Sequence, residues 1–214
     1  SLSLNGGTIK DLAGNSAVLT HAAASDNASY LVDTTGPSIA SVAITSGAGA
    51  LNNRLNAGDV VTATVNTTEA VVVSGSPVLA LNIGGLIVNA AFDATNSTST
   101  SLKFNYTIQS GQTDVNGISI NANSLSLNGG AIRDLAGNIA TLSHAAVADN
   151  SSYLVDTTGP AITSVAMTAS GAVNNRLNAG DVVTATIATN EAVIVAGSPR
   201  LALNIGGSTV YASY

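Results

Sequence analysis

The strongest constraint on this chain is a long internal repeat. Residues 1–37 recur as residues 124–160, and the two copies differ at eight of their 37 positions. The offset is 123 residues, measured from Asp33 to Asp156, and it falls to 122 after a one-residue deletion near Gly171. A period of this length has the size of a whole domain, well above the ~20–50 residues of a solenoid unit. The sequence therefore predicts a piece of a tandem array of domains, and such arrays usually span distance.

The composition argues against several classes of partner. Charged residues make up 8% of the chain, with six Lys and Arg against twelve Asp and Glu. An acidic chain with so few cations is a poor match for nucleic-acid phosphates or for anionic lipids. No apolar run approaches the ~18 residues that a membrane span requires. We therefore expect no nucleic-acid partner and no direct insertion into a membrane.

The chain lacks cysteine and tryptophan, and its aromatic residues are five Tyr and two Phe. Its core must therefore consist of Val, Ile, Leu and Ala. A domain of this size can bury such a core without disulfides. An acidic chain rich in Thr, Ser, Asn and Gly is typical of exported bacterial surface proteins, which predicts an extracellular location.

Apolar and polar residues alternate along most of the chain, as they do in strands with one buried face. Short turns such as Asn56-Ala-Gly-Asp59 separate these runs. The pattern predicts strands at 39–45, 59–66, 71–83 with a Gly-Ser-Pro interruption, 86–92, 102–109, 118–127 with a kink, and 139–144 onward. Inward rows are predicted at Val61, Ala63 and Val65, at Leu79, Leu81 and Ile83, at Leu102, Phe104, Tyr106 and Ile108, and at Val88 and Phe92 with their copies Val210 and Tyr214. About seven short strands predict an all-β fold of tandem immunoglobulin-like antiparallel β-sandwich domains.

The Asp-Thr-Thr-Gly-Pro linker marks the predicted domain boundaries. Pro37 and Pro160 stiffen the entry into the first strand of a repeat. Residues 1–32 are then the C-terminal strands of a preceding repeat, residues 33–155 a complete repeat, and residues 156–214 the N-terminal part of the next.

Three carboxylates that lie far apart in the sequence are expected at the same pole of the complete repeat. If consecutive strands alternate in direction, the linker Asp33, the turn residue Glu69 and the hairpin residue Asp134 all fall at the junction with the preceding repeat. Carboxylates gathered at one place repel each other unless a cation neutralises them. Calcium prefers ~6–8 oxygen ligands from carboxylates, amide carbonyls, backbone and water. The sequence therefore predicts a calcium site here, with Asn138 or backbone oxygens as further ligands.

Other acidic residues repeat this arrangement in the partial copies. Asp156 and Glu191 are the copies of the linker and turn carboxylates, and Asp11 is the copy of the hairpin carboxylate. Asp149 lies shortly before the second linker and is a further candidate ligand. Asp and Asn also begin turns without any metal, so a purely structural role stays open for each of them.

The sequence offers little for an active site. His21 and His144 are two copies of one position, and a single His in each domain cannot form a His-cluster metal site. A half-exposed strand histidine is the simpler interpretation. No Gly-x-Ser-x-Gly motif is present, and no helix follows the paired glycines as a phosphate loop would require. We therefore predict that the chain is not an enzyme.

The resemblance of the chain to a known family is carried by the motifs VDTTGP, LNAGDVVTATV, TEAVVVSGSPVLALNIGG, FNYTIQSGQTDVNGISI and ANSLSLNGGAIRDLAGN, and it extends over essentially the whole chain. Together they resemble the immunoglobulin-like repeats of giant bacterial surface adhesins of the RTX-type or biofilm-associated class. The resemblance implies a cell-surface stalk, often stiffened by calcium between domains. It implies as candidate ligands Asp33 and Asp156, Glu69 and Glu191, and Asp11 and Asp134.

The leading hypothesis is a structural extender whose partners are the neighbouring repeats of the same polypeptide. One alternative is a subunit of an extracellular filament or surface layer, in which identical chains complete each other's sheets. The other is a glycan-binding module, against which the few aromatic residues argue.

Overall fold

The computed structural model describes residues 2–214, so that Ser1, the first residue of the predicted segment 1–32, lies outside the described residues. All the regular elements within this range are strands, and no helix there could cross a membrane. The strands are β1 (Ile39–Ala48), β2 (Arg54–Leu55), β3 (Val60–Thr67), β4 (Val72–Ser74), β5 (Val78–Ile83), β6 (Leu86–Asp93), β7 (Ser101–Thr107), β8 (Thr113–Asp114), β9 (Leu125–Ser126), β10 (Ala131–Arg133), β11 (Leu154–Asp156), β12 (Ile162–Ser170), β13 (Val182–Thr189), β14 (Arg200–Ile205) and β15 (Ser208–Ser213).

A six-stranded sheet forms one layer of the complete unit. Its strand order is β1-β3-β7-β6-β5-β9, and every neighbouring pair is antiparallel. The alternating sequence explains its burial, because successive side chains of a strand point to opposite faces. The predicted inward rows of β3 and β5 are confirmed, since the side chains of Val61, Ala63, Val65, Leu79, Leu81 and Ile83 are all buried.

Shorter strands cover the other side of the core. Strand β4 pairs with β10, and β11 lies between β2 and β8, with the β2–β11 pair parallel. One apolar cluster fills the space between the layers and extends along the sequence from Ile44 to Val155. Phe104 is its largest fully buried side chain, and its ring lies 5.7 Å from that of Phe92. This arrangement of antiparallel sheets is consistent with a β-sandwich, so the predicted all-β class is confirmed and the immunoglobulin-like class stays a prediction.

Three predicted strands differ from the observed ones. The predicted strand 71–83 is two strands, β4 and β5, which belong to different sheets because the Gly-Ser-Pro segment redirects the chain. The predicted strand 118–127 contains only the bridges of Ser119 and Ile120 and the short β9. The predicted strand from residue 139 onward is likewise a series of isolated bridges. In the first of these two segments the consecutive residues Ile118, Ser119 and Ile120 are all buried, and in both segments the backbone pairs mostly at single bridges rather than along a ladder.

The side chains of the two partial copies, residues 2–32 and 156–214, are mostly more exposed to solvent than those of the complete unit. Strands β12 and β13 pair as β1 and β3 do, and β14 and β15 pair as β5 and β6 do. The predicted burial of Val210 and Tyr214 is wrong, since these side chains are 41% and 84% exposed. The physical reason is that β14 and β15 form a two-stranded sheet, whereas β6 is flanked by β7 in the complete unit.

Candidate metal site at the first linker

The first linker is packed against the complete unit on two sides. The amide of Thr141 donates to the carbonyl of Pro37 (2.8 Å), and that of Thr68 donates to the carbonyl of Ser38 (2.9 Å). A Cβ atom at Gly36 would lie 2.4 Å from the carbonyl oxygen of Ile139, so only glycine allows this approach. The linker is therefore held between the turn after β3 and the hairpin after β10.

This packing brings together the carboxylates of Asp33, Glu69 and Asp134. One oxygen of each lies within 4.8 Å of the others. The Asp134 side chain is buried, that of Glu69 is half-buried and that of Asp33 is exposed, so the group opens toward solvent on the linker side. These are the three residues that the predicted strand directions place at one pole. Three negative charges at this separation repel each other strongly unless a cation lies among them.

The carboxylate of Asp134 is held in place by its own hairpin. Its Oδ1 accepts the backbone N–H of Asn138 (2.8 Å), and its Oδ2 accepts the side-chain amide of Asn138 (2.7 Å). Burial raises the pKa of Asp134, whereas hydrogen bonds from the Asn138 side chain and from the backbone of Asn138, Gly137 and Ala136 lower it. The hydrogen bonds prevail, so the pKa lies below its ordinary value and Asp134 is ionised at neutral pH.

Asn138 contacts the site through its nitrogen rather than its oxygen. Besides Asp134, its Nδ2 donates to the backbone carbonyls of Asp33 (3.1 Å) and Thr35 (3.4 Å). Through this nitrogen Asn138 ties the linker backbone to the hairpin, and its role as an oxygen ligand stays a prediction.

Backbone carbonyl oxygens also lie close to the three carboxylates, and the sequence pattern did not predict which residues supply them. The carbonyls of Asp33 and Thr35 lie beside the Asn138 amide, close to the carboxylate group. Every residue carries a carbonyl, so residue type gives no signal for such donors. The Asp33 side chain itself accepts the Thr35 amide (3.0 Å), which is the local Asx turn that its position in the linker favours.

The second linker repeats the local geometry of the first. Asp156 accepts the Thr158 amide (3.2 Å), and the carbonyl of Glu191 accepts the Thr189 hydroxyl (2.7 Å), as the carbonyl of Glu69 accepts that of Thr67. Asp156 and Glu191 line a cleft of about 460 Å³ together with Arg54. Oε1 of Glu191 is buried without a hydrogen-bond partner among residues 2–214. Within the same residues, only the first linker gathers three acidic side chains that could hold a metal ion.

Two other predicted ligands lie elsewhere. Asp149 accepts a hydrogen bond from the side chain of Asn116 and lines a different cleft with Asp114, so the structure does not bring it to the three-carboxylate group. Asp11 is exposed in its own hairpin, where it accepts the side-chain amide (2.8 Å) and backbone N–H (2.8 Å) of Asn15. These bonds lower its pKa, and among residues 2–214 Asp11 belongs to no group of three acidic side chains that could hold a metal ion.

The buried carboxylate of Asp114 illustrates a different use of an acidic residue. Its oxygens accept hydrogen bonds from the backbone amides of Gly84 (2.8 Å) and Gly117 (2.8 Å), so it joins the turn between β5 and β6 to the loop that follows β8. His144 is likewise structural, since its Nε2 accepts the Ser124 amide (2.9 Å) and its Nδ1 contacts the carbonyl of Ala145 (2.8 Å).

The chain was compared with protein-family models, with curated proteins and with solved structures, and none of them matched.

Proposed function

We propose that this chain is a structural extender, a segment of the stalk of a large bacterial cell-surface adhesin, in which calcium stiffens the junctions between repeats. The observation that carries the proposal is the meeting of Asp33, Glu69 and Asp134, with one oxygen of each within 4.8 Å of the others, where a linker enters a repeat. The 123-residue repeat supports the array, and the resemblance to adhesin repeats supports the setting.

The residues of the first linker fit calcium by their chemistry. The three carboxylates offer up to six oxygens, and the carbonyls of Asp33 and Thr35 lie close by. Calcium accepts irregular sets of ~6–8 oxygens, whereas magnesium demands a near-ideal octahedron and zinc prefers Cys and His. When bound, calcium would neutralise the repulsion between the carboxylates. Asp33 would then be tied to the turn after β3 and to the hairpin after β10.

A cation at this position would limit bending of the linker. The linker already packs on the repeat through Gly36 and Pro37, whereas residues 33–35, Asp33 among them, are exposed. Fixing the carboxylate of Asp33 would restrict this exposed part of the linker. A series of such junctions would turn a flexible string of domains into a rod that projects a binding module from the cell. Calcium concentrations outside cells suit modules whose Kd is ~0.1–1 mM.

The test is calcium titration followed by thermal unfolding, with EDTA as the reference. Calcium at one hundred times its Kd should stabilise the chain by about 2.7 kcal/mol. The variant Glu69→Gln removes one carboxylate of the group and should abolish most of this shift. Asp149→Asn is the matched control, because it removes an acidic side chain outside the group, and it should respond as the parent chain does.

Small-angle scattering with and without EDTA measures the stiffness directly. We expect chelation to broaden the distribution of overall dimensions in the parent chain and to leave Glu69→Gln unchanged. If calcium changes neither the melting temperature nor the scattering curve of the parent chain, calcium does not stiffen the linker and that part of the proposal is wrong.

A further inference from the structure

The second linker borders a cleft that lies between the complete unit and residues 161–214 of the next copy. The cleft has a volume of about 460 Å³, and it is lined by residues of the turn 51–56, by linker residues 156 and 158, and by the turn 191–194. Among the described residues that line it, Arg54 is the only basic one, and Asp156 and Glu191 are the acidic ones. We call this space the seam cleft.

The position of the Arg54 backbone is fixed by a two-residue hairpin turn. The amides of Leu51 and Arg54 donate to each other's carbonyls (2.9 Å each), and Asn52 and Asn53 between them have positive φ angles of 52° and 61°. Positive φ at both central positions is typical of the tight turn that matches the natural twist of paired strands. The amide of Leu154 donates to the carbonyl of Asn53 (2.9 Å), which joins this turn to the segment that enters the second linker. The Arg54 side chain therefore starts from a defined point beside that linker.

The register of β2 and β11 places Arg54 and Asp156 on the same face. In this parallel pair Leu154 lies opposite Arg54, and Val155 lies opposite Leu55. Val155 and Leu55 are buried, and successive side chains of a strand point to opposite faces, so Arg54 and Asp156 belong to the outer face. They are diagonal neighbours with Cα atoms ~8 Å apart, as the spacing of strands and of residues along a strand requires. A long side chain such as that of arginine spans this distance.

Glu191 carries a charged oxygen that lacks a partner. Its Oε1 is buried and accepts no hydrogen bond from any of residues 2–214. The backbone of this residue is held in its turn, because the hydroxyl of Thr189 donates to the Glu191 carbonyl (2.7 Å). A carboxylate oxygen that loses water without gaining a donor is costly, so this group requires a cation or a strong donor. Arg54 is exposed and lines the same cleft, and rotation of its side chain supplies such a donor.

We propose that the guanidinium of Arg54 lies between the carboxylates of Asp156 and Glu191 and thereby ties the complete unit directly to the next copy. A guanidinium has five N–H donors in a planar fork, so it can bond to two carboxylates at the same time. The contact requires no metal ion and is separate from the calcium site proposed at the first linker. It restricts the second linker through an ion pair in a partly open cleft, which salt should weaken.

The proposal gives the complete unit opposite charges at its two ends. The carboxylates of Asp33, Glu69 and Asp134 meet where the first linker enters the unit, whereas Arg54 lies where the second linker leaves it. A cation of one copy therefore faces the acidic turn of the next copy. Complementary charges of this kind fix the relative orientation of two surfaces more than they add to affinity.

Spin labels in the two copies test this contact, because the chain has no cysteine of its own to interfere with labelling. Ala94→Cys and Ser208→Cys introduce labels at exposed positions of the complete unit and of the next copy. Pulsed electron resonance then measures the distribution of distances between the labels. All samples contain EDTA, so bound calcium contributes nothing, and failure of the calcium proposal leaves this result unaffected.

We expect Arg54→Gln to broaden the distribution of label distances relative to the labelled parent chain. Arg176→Gln is the matched control, because Arg176 is the copy of Arg54 in the same kind of turn but does not line the seam cleft, and it should behave as the parent does. High salt should broaden the distribution of the parent and leave that of Arg54→Gln unchanged, since ions screen the pair that only the parent contains.

Nitrogen NMR of the arginine side chains provides a label-free measurement. Glu191→Gln should shift the Nε–H signal of Arg54 and leave that of Arg176 in place. Glu69→Gln removes the corresponding carboxylate at the other end of the complete unit and should not move the Arg54 signal. The proposal is overturned if Arg54→Gln leaves the label distances as they are in the parent, or if the Arg54 signal does not respond to Glu191→Gln.

Discussion

The side-chain amide of Asn138 donates to the backbone carbonyl of Asp33, 105 residues earlier in the chain (3.1 Å). The same nitrogen donates to the carboxylate of Asp134 (2.7 Å). One side chain thus joins the linker, the hairpin and the acidic group. The Asp-Leu-Ala-Gly-Asn hairpin is therefore more than a turn, because its last residue fixes how the preceding linker enters the repeat.

Replacing Asn138 with alanine should loosen this junction. The change removes hydrogen bonds to three oxygens, and the net loss of such bonds costs about 1–3 kcal/mol in the free energy of unfolding. Urea unfolding followed by circular dichroism measures the loss. Asn15→Ala is the matched control, since Asn15 occupies the same place in an exposed copy of the hairpin, where its side-chain amide donates to Asp11 and, within residues 2–214, to no linker carbonyl. An equal effect of the two substitutions would mean that the contact with the linker contributes nothing.

The close approach of Gly36 to the hairpin predicts that alanine at Gly36 and alanine at its copy Gly159 affect stability differently. A Cβ at Gly36 would lie 2.4 Å from the Ile139 carbonyl oxygen, whereas a Cβ at its copy Gly159 would meet no atom within 4 Å. Gly36→Ala must push the linker away from the repeat, and we expect a loss of about 1–3 kcal/mol. Gly159→Ala should be neutral or stabilising by a few tenths of a kcal/mol, because alanine restricts the unfolded chain. Parallel urea titrations of the two variants decide between these outcomes.

The sequence predicted β3, β6 and β7 of the six-stranded sheet well, because each of them alternates over six or more residues, whereas the two-residue β9 of the same sheet lay inside a longer predicted strand. The second layer was harder to predict. Residues 118–147 contribute Ile118, Ile120 and Ile132 to the core, yet they pair with other segments mostly through single bridges. The alternation of apolar and polar residues predicts which side chains face the core, but it does not predict which segments pair through their backbones. The short pairs of β2, β8 and β11 have no local signature of any kind.

The candidate site, too, could be predicted from the sequence only in part. Strand direction was enough to place Asp33, Glu69 and Asp134 at one pole, because Glu69 and Asp134 follow the ends of β3 and β10 and Asp33 lies in the linker that leads into β1. It did not separate Asp149 from them, since that residue lies in an irregular segment and turns toward Asn116. The donor role of the Asn138 amide depends on the linker passing over the hairpin, a tertiary contact that no local pattern encodes.

The hydrogen bonds of Asp93 predict a defined loss of stability in acid. Its pKa is lowered chiefly by the side chain of Asn96 (2.7 Å), with help from the Asn96 amide and from the side chain of Asn105 (2.8 Å). A carboxyl whose pKa is lower in the folded than in the unfolded state stabilises the fold above the unfolded value, here 3.8. That contribution is lost as the pH falls from 3.8 through the folded pKa.

Urea unfolding between pH 2 and 6 measures this contribution. Asp93→Asn should be less stable than the parent at neutral pH, and the difference should shrink below the unfolded pKa of 3.8. Asn96→Ala should raise the pKa of Asp93, which carboxyl NMR signals report directly. A stability difference that stays constant through this range would show that ionisation of Asp93 does not contribute.

The contact between Gly75 and Gly130 predicts where the second layer is most sensitive. Both Gly75 and Gly129 have a positive φ, +76° and +80°, so alanine at either position adopts a strained backbone at a cost of about 1 kcal/mol. Only at Gly75 would the new Cβ also lie 2.6 Å from a backbone atom, the Cα of Gly130, whereas nothing lies within 4 Å at Gly129. Gly75→Ala must therefore separate β4 from β10, the pair that closes the core over Ile132. We expect its loss of stability to exceed that of Gly129→Ala by about 1–3 kcal/mol, the cost typical of overpacking. Equal losses in urea unfolding would mean that the β4–β10 contact can relax without disturbing the core.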